Sequence, residues 1–514
     1  MLAAIVSALL YAGSFPKPAF FVLGFFFLVP MLGVLEKRRK RGKSGHGYPF
    51  FLFFLFGMVS YLILLSWIPN VMHQYGGANM AVSIVGLVAL ALFLSLFNGL
   101  AGIFIDDIIN RPAPILLPAL LIPLIWVSKD LIIEHIFGGF PWCLAGYSQF
   151  KNIYFIQIAE WGGIHLITFL VLFFNVLFYK WMRSETKRDK RLVLAALLIG
   201  FISVYAIGYY LYRSNEAKIS TLESHKAGII QPNTRNEWMS QEKKDQILER
   251  LFNESRELVR QGASFIVWPE HTVDIYPLQH AIDFTQRRYY DRIMDFVHAE
   301  APLLAGFTDL KEGQSVYNSA MLFQANGVSQ YDKVHLTPFG EYIPFRKLLF
   351  FVKRITDEIS DFTPGSRVKN LVFNGHPISI PICYEIIFPE LVRAFIHGEG
   401  KPGELIVTIS NDSWFGNTSA PYQHLSMAIF RSIENRRFIL RSTTNGISGT
   451  ITPLGEIRYR SRYHTADHFN AGFKFIRYET VFTRFGYLFP YLCALGVLIF
   501  YLSRMMSAFR RRRK

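Results

Sequence analysis

Cysteine is nearly missing from this chain: there are three in 514 residues, Cys143, Cys383 and Cys493. An odd count at such wide spacing builds no disulfide framework, and no Cys-x-x-Cys pair signals a zinc or dithiol site. Charge is also scarce, at 18% of residues against about 25% in an average soluble domain. Acids are scarcer than bases, 38 against 54. What fills the chain instead is apolar: 51% hydrophobic residues, 48 of them Phe, with a mean hydropathy of +0.25. This is the composition of a membrane protein. The net charge of +16 sits largely in short runs beside apolar segments, Lys37 to Lys43, Lys187 to Arg191 and Arg510 to Lys514. No nucleic-acid recognition motif accompanies it. Such runs hold loops on the cytoplasmic side of a membrane.

A membrane-crossing helix needs about 20 mostly apolar residues. Segments 49–69, 81–105, 113–133, 161–182, 192–212 and 484–503 qualify. The first 35 residues are apolar but broken by Gly13, Pro16 and Lys17. A signal peptide is one reading, but a basic start and a polar mature domain are missing. Two short helices near 2–14 and 18–35 fit better, giving about eight spans. The three basic blocks then all fall on one side, and residues 213–483 fall on the other. The expected division is 1–212 with seven spans, 213–483 as a soluble unit, and 484–514 as a last span with a basic tail.

In 213–483, strand-like runs recur at 227–231, 264–268, 302–306, 318–323, 377–382, 405–410 and 438–443, with helical patterns at 241–261 and 278–299. Strands alternating with helices predict layered α/β packing. About 250 residues are enough to bury a core.

Three of these runs end on reactive residues. Ile266-Val267-Trp268-Pro269 stops at Glu270, Tyr331-Asp332 leads into Lys333, and Ile378 to Ile382 runs into Cys383. A nucleophilic thiol needs a base, and a cation or N–H donors for the oxyanion that forms. A lysine also lowers a nearby thiol's pKa. Taken singly, each residue has an ordinary explanation: a small core hydrophobe for the Cys, a solvated cap for the Glu, a solvated surface charge for the Lys. Cys493 lies in an apolar run and Cys143 beside Trp142, where inert burial accounts for both.

The order Trp-Pro-Glu, then a lysine, then Cys-Tyr-Glu resembles the nitrilase superfamily with its Glu-Lys-Cys triad. Longer strings resemble its membrane branch, the apolipoprotein N-acyltransferase family. They are Gly139-Phe140-Pro141-Trp142 with Gly146-Tyr147-Ser148-Gln149, and Lys333 through Pro338-Phe339-Gly340-Glu341-Tyr342. Cys383-Tyr384-Glu385 through Phe388-Pro389-Glu390 follows, then Asn411-Asp412-Ser413-Trp414-Phe415-Gly416, Gln423-His424-Leu425, and Arg441 through Asn445-Gly446. The likeness runs essentially the whole length, with no departure at the triad.

The resemblance implies a polytopic helical membrane domain carrying an α-β-β-α sandwich. It implies Glu270 as base, Cys383 as nucleophile and Lys333 as oxyanion partner. The acyl donor would be a glycerophospholipid, with phosphatidylethanolamine expected, and the acceptor the α-amino group of a diacylglyceryl-cysteine apolipoprotein. No cofactor or metal is implied. Glu341 and Glu385 are expected to support the triad, and Trp238 and Tyr384 to help hold lipid. His335 and His424 lie in the motifs without a proton-transfer role. The expected setting is a bacterial inner membrane, with a monomeric enzyme whose catalytic domain is periplasmic. Two other readings remain: a tethered amidase with water as acceptor, and a transporter or scaffold with an inert domain. The number of spans and the 139–149 loop speak for lipid handling. An intact Glu270, Lys333 and Cys383 and a lack of buried charge patterns in the spans speak against transport. Residues 345–354, apolar between paired bases, have two readings: a core helix with solvated ends, or an arm over the active site that dips into the outer leaflet.

Overall fold

Among the described residues, twelve strands lie between His225 and Phe473. They are β1 (His225–Gln231), β2 (Ile266–Glu270), β3 (Leu303–Lys311), β4 (Ser315–Gln324), β5 (Gly327–Asp332), β6 (Leu371–Phe373), β7 (His376–Ser379), β8 (Leu405–Ser410), β9 (Ile439–Thr443), β10 (Gly449–Ile451), β11 (Ile457–Arg460) and β12 (Asp467–Phe473). In this computed structural model the described residues are 1–74, 77–111, 114–234, 240–279, 283–311, 315–342, 362–398 and 400–512. Trp238 and the 345–354 segment lie outside them.

The strands form two six-stranded sheets, ordered β12-β1-β2-β3-β4-β5 and β11-β10-β9-β8-β7-β6. The central pairs β1–β2, β2–β3, β7–β8 and β8–β9 are parallel, and the outer pairs antiparallel. Central strands are covered on both faces, which is why β2, β8 and β9 are buried at every position and read as continuous apolar runs. The sheets meet face to face, with Ser442 Oγ donating to the Ile230 carbonyl at 2.9 Å and Thr443 Oγ1 to Gln231 Oε1 at 3.1 Å. The outer face of the first sheet is closed by helices Gln241–Arg260 and Phe284–Ala299. The first starts at Ser240, whose hydroxyl accepts from the Lys243 N–H. The second starts at Asp283, which caps Thr285 and Gln286. Leu248, Leu251, Phe252 and Leu258 on one, and Tyr289, Ile293 and Phe296 on the other, recur every three to four residues and are buried together with Trp268. The expected α-β-β-α sandwich is present. All seven expected strand runs fall on strands; β5, β6 and β10 to β12 are additional.

The chain divides into two units, Met1–Ser66 with Ile84–Ser214 and Arg484–Lys514, and Trp67–Ser83 with Asn215–Thr483. The first is helical. Among its described residues, five helices are long and apolar enough to cross a membrane: Gly47–Leu64, Met80–Ile109, Ala159–Arg183, Lys187–Ser220 and Leu488–Arg510. The expected first span is the shorter helix Leu2–Ser14, and the second is a 3-10 turn (Phe21–Phe25) leading into Val29–Lys40. Asn175 from a neighbouring helix covers the break, accepting from the Leu28 N–H and donating to the Gly24 carbonyl, so the interrupted backbone keeps its partners inside an apolar bundle.

Helix Leu117–His135 corrects one expectation. It buries Lys129, Asp130 and Glu134, with Lys129 Nζ 2.5 Å from Asp130 Oδ1 and Glu134 Oε2 3.1 Å from His165 of another helix. The bundle does hold buried charge. Averaging over a mostly apolar segment concealed it. The 139–149 motif is internal as well: Trp142, Tyr147, Ser148 and Gln149 are buried, and Gln149 donates to the Phe21 carbonyl.

Candidate active site

Glu270 is the last residue of β2, where the run of buried side chains ends, and it is itself 3% exposed. Its oxygens are held from both sheets. Oε1 accepts from Asn318 Nδ2 on β4 at 2.6 Å, and Oε2 from the Asn411 N–H just past β8 at 2.8 Å. Gly306 on β3 allows this close approach, since a Cβ there would lie 2.7 Å from the Glu270 Cα.

Lys333 follows β5 and is 1% exposed. Its ammonium lies 3.0 and 2.9 Å from the two oxygens of Glu341 and 3.8 Å from Glu270 Oε1. Burial alone would lower its pKa, but the charges of Glu341, Glu270 and Cys383 outweigh it and hold Lys333 well above the ordinary lysine value. Glu341 is held low for the matching reason: its own burial is overcome by Lys333, the Thr337 N–H and Asn318. Asn318 therefore touches both carboxylates, at 2.6 Å each. No sequence motif singled it out. The signal was an amide within a strand, two residues before the buried apolar run Ala320 to Phe323, where an unpartnered side chain would be costly.

Cys383 opens a 3-10 turn (Cys383–Ile387) after β7, with Ile380, Pro381 and Ile382 between them. Its backbone is left-handed, with φ of 49°, a conformation costing a non-glycine residue roughly 1–2 kcal/mol. Burial first, then the charge of Glu270, push the thiol far above its usual pKa, with Lys333 pulling the other way.

Glu385 ties the turn to the lysine segment. Fully buried, it accepts from the Tyr331 hydroxyl, the Val334 N–H, the His335 N–H and the Ile382 N–H, at 2.8 to 3.0 Å. Burial nonetheless pushes its carboxyl up to about 7. Tyr384 packs edge-on against Phe388, and its ring centroid is 5.9 Å from that of His335. His335 is pushed down to about 4 by burial and then by Lys333, so it is neutral near pH 7.

The structure thus brings Glu270, Lys333 and Glu341 into one buried hydrogen-bonded cluster, with Glu270 and Lys333 close enough to Cys383 for their charges to act on its thiol. Among the described residues no group of three or more His, Cys, Asp or Glu is arranged to hold a metal ion. The segment Trp67–Ser83 adds something the sequence reading overlooked. It folds with this unit and sets Trp67 edge-on to Phe415, whose ring in turn abuts His424.

The comparisons agree with this architecture. A family model for the apolipoprotein N-acyltransferase N-terminal domain matches residues 7–177, and one for carbon-nitrogen hydrolase matches 226–461. A protein of Geobacter metallireducens named apolipoprotein N-acyltransferase is 31% identical, over 97% of this chain and 94% of that one. The chain belongs to the apolipoprotein N-acyltransferase family. A member from Haemophilus influenzae is 29% identical over 89% of this chain and 85% of its own. Among solved structures, an amidase from Nesterenkonia sp. is similar at 17% identity and a TM-score of 0.36, over 49% of this chain and 91% of that one. Membership makes this a membrane acyltransferase of lipoprotein biosynthesis that carries a carbon-nitrogen hydrolase domain.

Proposed function

We propose that the enzyme moves an acyl chain from a glycerophospholipid, phosphatidylethanolamine in the first instance, to the α-amino group of a diacylglyceryl-cysteine apolipoprotein through a thioester on Cys383. As the sulfur attacks the ester carbonyl, Glu270 takes the thiol proton. When the tetrahedral adduct collapses, the carbon–oxygen bond to glycerol breaks and Glu270 returns the proton to the leaving alkoxide, releasing a lysophospholipid. In the second half the amine attacks the thioester, the carbon–sulfur bond breaks, and Glu270 carries the amine's proton back to sulfur. Kinetics are ping-pong.

The observation that supports this reading most is the setting of Lys333. It is a buried ammonium kept charged by two carboxylates, with Cys383 near enough for its charge to be felt. A fixed cation in a dry site is what a developing oxyanion requires. The raised thiol pKa supports a base-assisted attack over a standing thiolate. Glu341 balances the lysine, Glu385 orients the turn, and Tyr384 with Trp238 contacts the lipid. The enzyme acts as a monomer without a cofactor. With about eight spans, residues 213–483 lie on the periplasmic face of the inner membrane, a reading supported by the agreement of the three basic runs.

Incubating the purified full chain with phosphatidylethanolamine tests the reading. An acyl adduct is expected on Cys383, released by hydroxylamine, and absent from a folded Cys383→Ala protein that no longer transfers. Substantial turnover by Cys383→Ala would rule the mechanism out.

A further inference from the structure

The proposed mechanism uses neither His424 nor Arg441, yet both are fully buried beneath the nucleophile. His424 lies on helix Ala420–Asn435, and its Nε2 is 3.1 Å from the carbonyl oxygen of Cys383. A carbonyl only accepts, so Nε2 must carry the hydrogen. The other ring nitrogen, Nδ1, is 3.1 Å from Arg441 Nη2. A guanidinium only donates, so Nδ1 must be the bare lone pair. Asp412 Oδ1 also faces Nδ1 but at 3.6 Å, beyond hydrogen-bond reach, so the two shorter contacts select one tautomer, the neutral Nε2–H imidazole. Arg441 is held in place by Asp412 Oδ2 at 2.7 Å and the Ile447 carbonyl at 3.1 Å. Asp412 is held by Ser410 Oγ at 2.6 Å. Burial disfavours charge on Asp412, but Arg441 first and Ser410 with it hold its carboxyl far below the usual range.

The bond received by Cys383 has a consequence one atom further on. The Cys383 carbonyl and the Tyr384 N–H sit at opposite edges of one planar peptide. Fixing the oxygen on His424 fixes the direction of that N–H, the backbone donor beside the sulfur. The strained φ of 49° at Cys383 makes such a restraint necessary, because the turn would otherwise relax towards an unstrained conformation. We propose that His424, locked in its Nε2–H tautomer by Arg441 and Asp412, is a positioning residue for acyl transfer that clamps the Cys383–Tyr384 peptide in its reactive orientation.

The test rests on the acyl-enzyme reading and separates the two. Attack on an ester carbonyl creates an oxyanion that needs an aimed donor, whereas alkylation of the same sulfur by iodoacetamide creates none. Both rates are measured on Cys383 by peptide mass spectrometry, in the detergent-solubilised full chain, with phosphatidylethanolamine as donor. His424→Asn keeps an acceptor at the Nδ1 position but is too short to reach the carbonyl. His424→Gln places an amide N–H where Nε2 was. Acylation is expected to fall about 10- to 100-fold in the Asn variant, with its alkylation rate held and KM for phospholipid little changed. The Gln variant recovers most of the loss. Equal acylation by Asn and wild type overturns the clamp, as does parallel loss of acylation and alkylation or loss in both variants alike. If the Asn variant does not fold, the Gln variant decides, since failure of a folded Gln protein to acylate overturns the clamp by itself. If wild-type Cys383 alkylates but takes no acyl group, the acyl-enzyme reading is the one that fails.

Discussion

Both units of this chain bury ions, but they hold them differently. In the helical unit, Lys129 pairs with its neighbour Asp130 and Glu134 with His165, while Asp130 Oδ2 and Glu134 Oε1 have no hydrogen-bond partner among the described residues. In the sandwich unit the carboxylates are gripped by neutral donors as well as cations. Glu385 accepts four hydrogen bonds, and Glu270 is held by an amide side chain and a backbone N–H. A buried pair adds little stability over apolar replacements of similar volume. A network with fixed neutral donors, by contrast, sets the position of each group. The site is built in the second way because acyl transfer depends on position.

Applying the same double substitution to both units sharpens that contrast, and the largest effect falls on the site. Lys333→Met should cost about 10²–10³-fold in acyl transfer, the range for loss of one oxyanion partner, and destabilise the protein because Glu341 and Glu270 are left facing each other. Adding Glu341→Leu should restore thermal stability without restoring turnover. Recovery of activity in the double variant would show that the pair acts only structurally.

Next comes the helical unit. Lys129→Met should cost roughly 3–5 kcal/mol by leaving Asp130 buried and alone. The double change Lys129→Met with Asp130→Leu should bring the melting temperature back near wild type with transfer intact. Loss of transfer in that stable double variant would erase the proposed distinction between the units.

The smallest effect is a pH slope. Glu385 titrates at about 7 when folded, raised from 4.5. Between those values the folded state binds the extra proton, so stability falls as pH rises from about 4.5 to about 7. The total is on the order of 3 kcal/mol. Glu385→Gln removes this term, so its melting temperature measured against pH in detergent should fall less steeply than that of wild type across the interval. Parallel curves would mean that the four donors, rather than burial, set the carboxyl's pKa.

Much of the sandwich was legible because its signals are local. Apolar runs at 264–268 and 405–410 mark strands covered on both faces, and the recurrence of Ile247, Leu251, Leu258 and Val259 marks a helix face. Glu270, Lys333 and Cys383 stood out as reactive residues where such runs stop, and the longer motifs gave them a family. The strands β10, β11 and β12 were missed. The first two are only three and four residues long, and β12 carries polar residues at alternate positions over a half-exposed edge.

By itself, then, the sequence determined membrane composition, the alternation of strands and helices, and the residues that carry the family likeness, since each depends on neighbours a few positions apart. Only the tertiary structure decided what holds those residues. The Asn411 N–H reaches Glu270 across 141 positions, and His424 reaches the Cys383 carbonyl across 41. Asn318 joins two carboxylates from separate segments, and Trp67 folds with the sandwich from far up the chain. Lys129 and Asp130 adjoin in sequence, yet only folding shows that both are buried. A hydrogen bond depends on distance and direction in space, and no period along the chain encodes either.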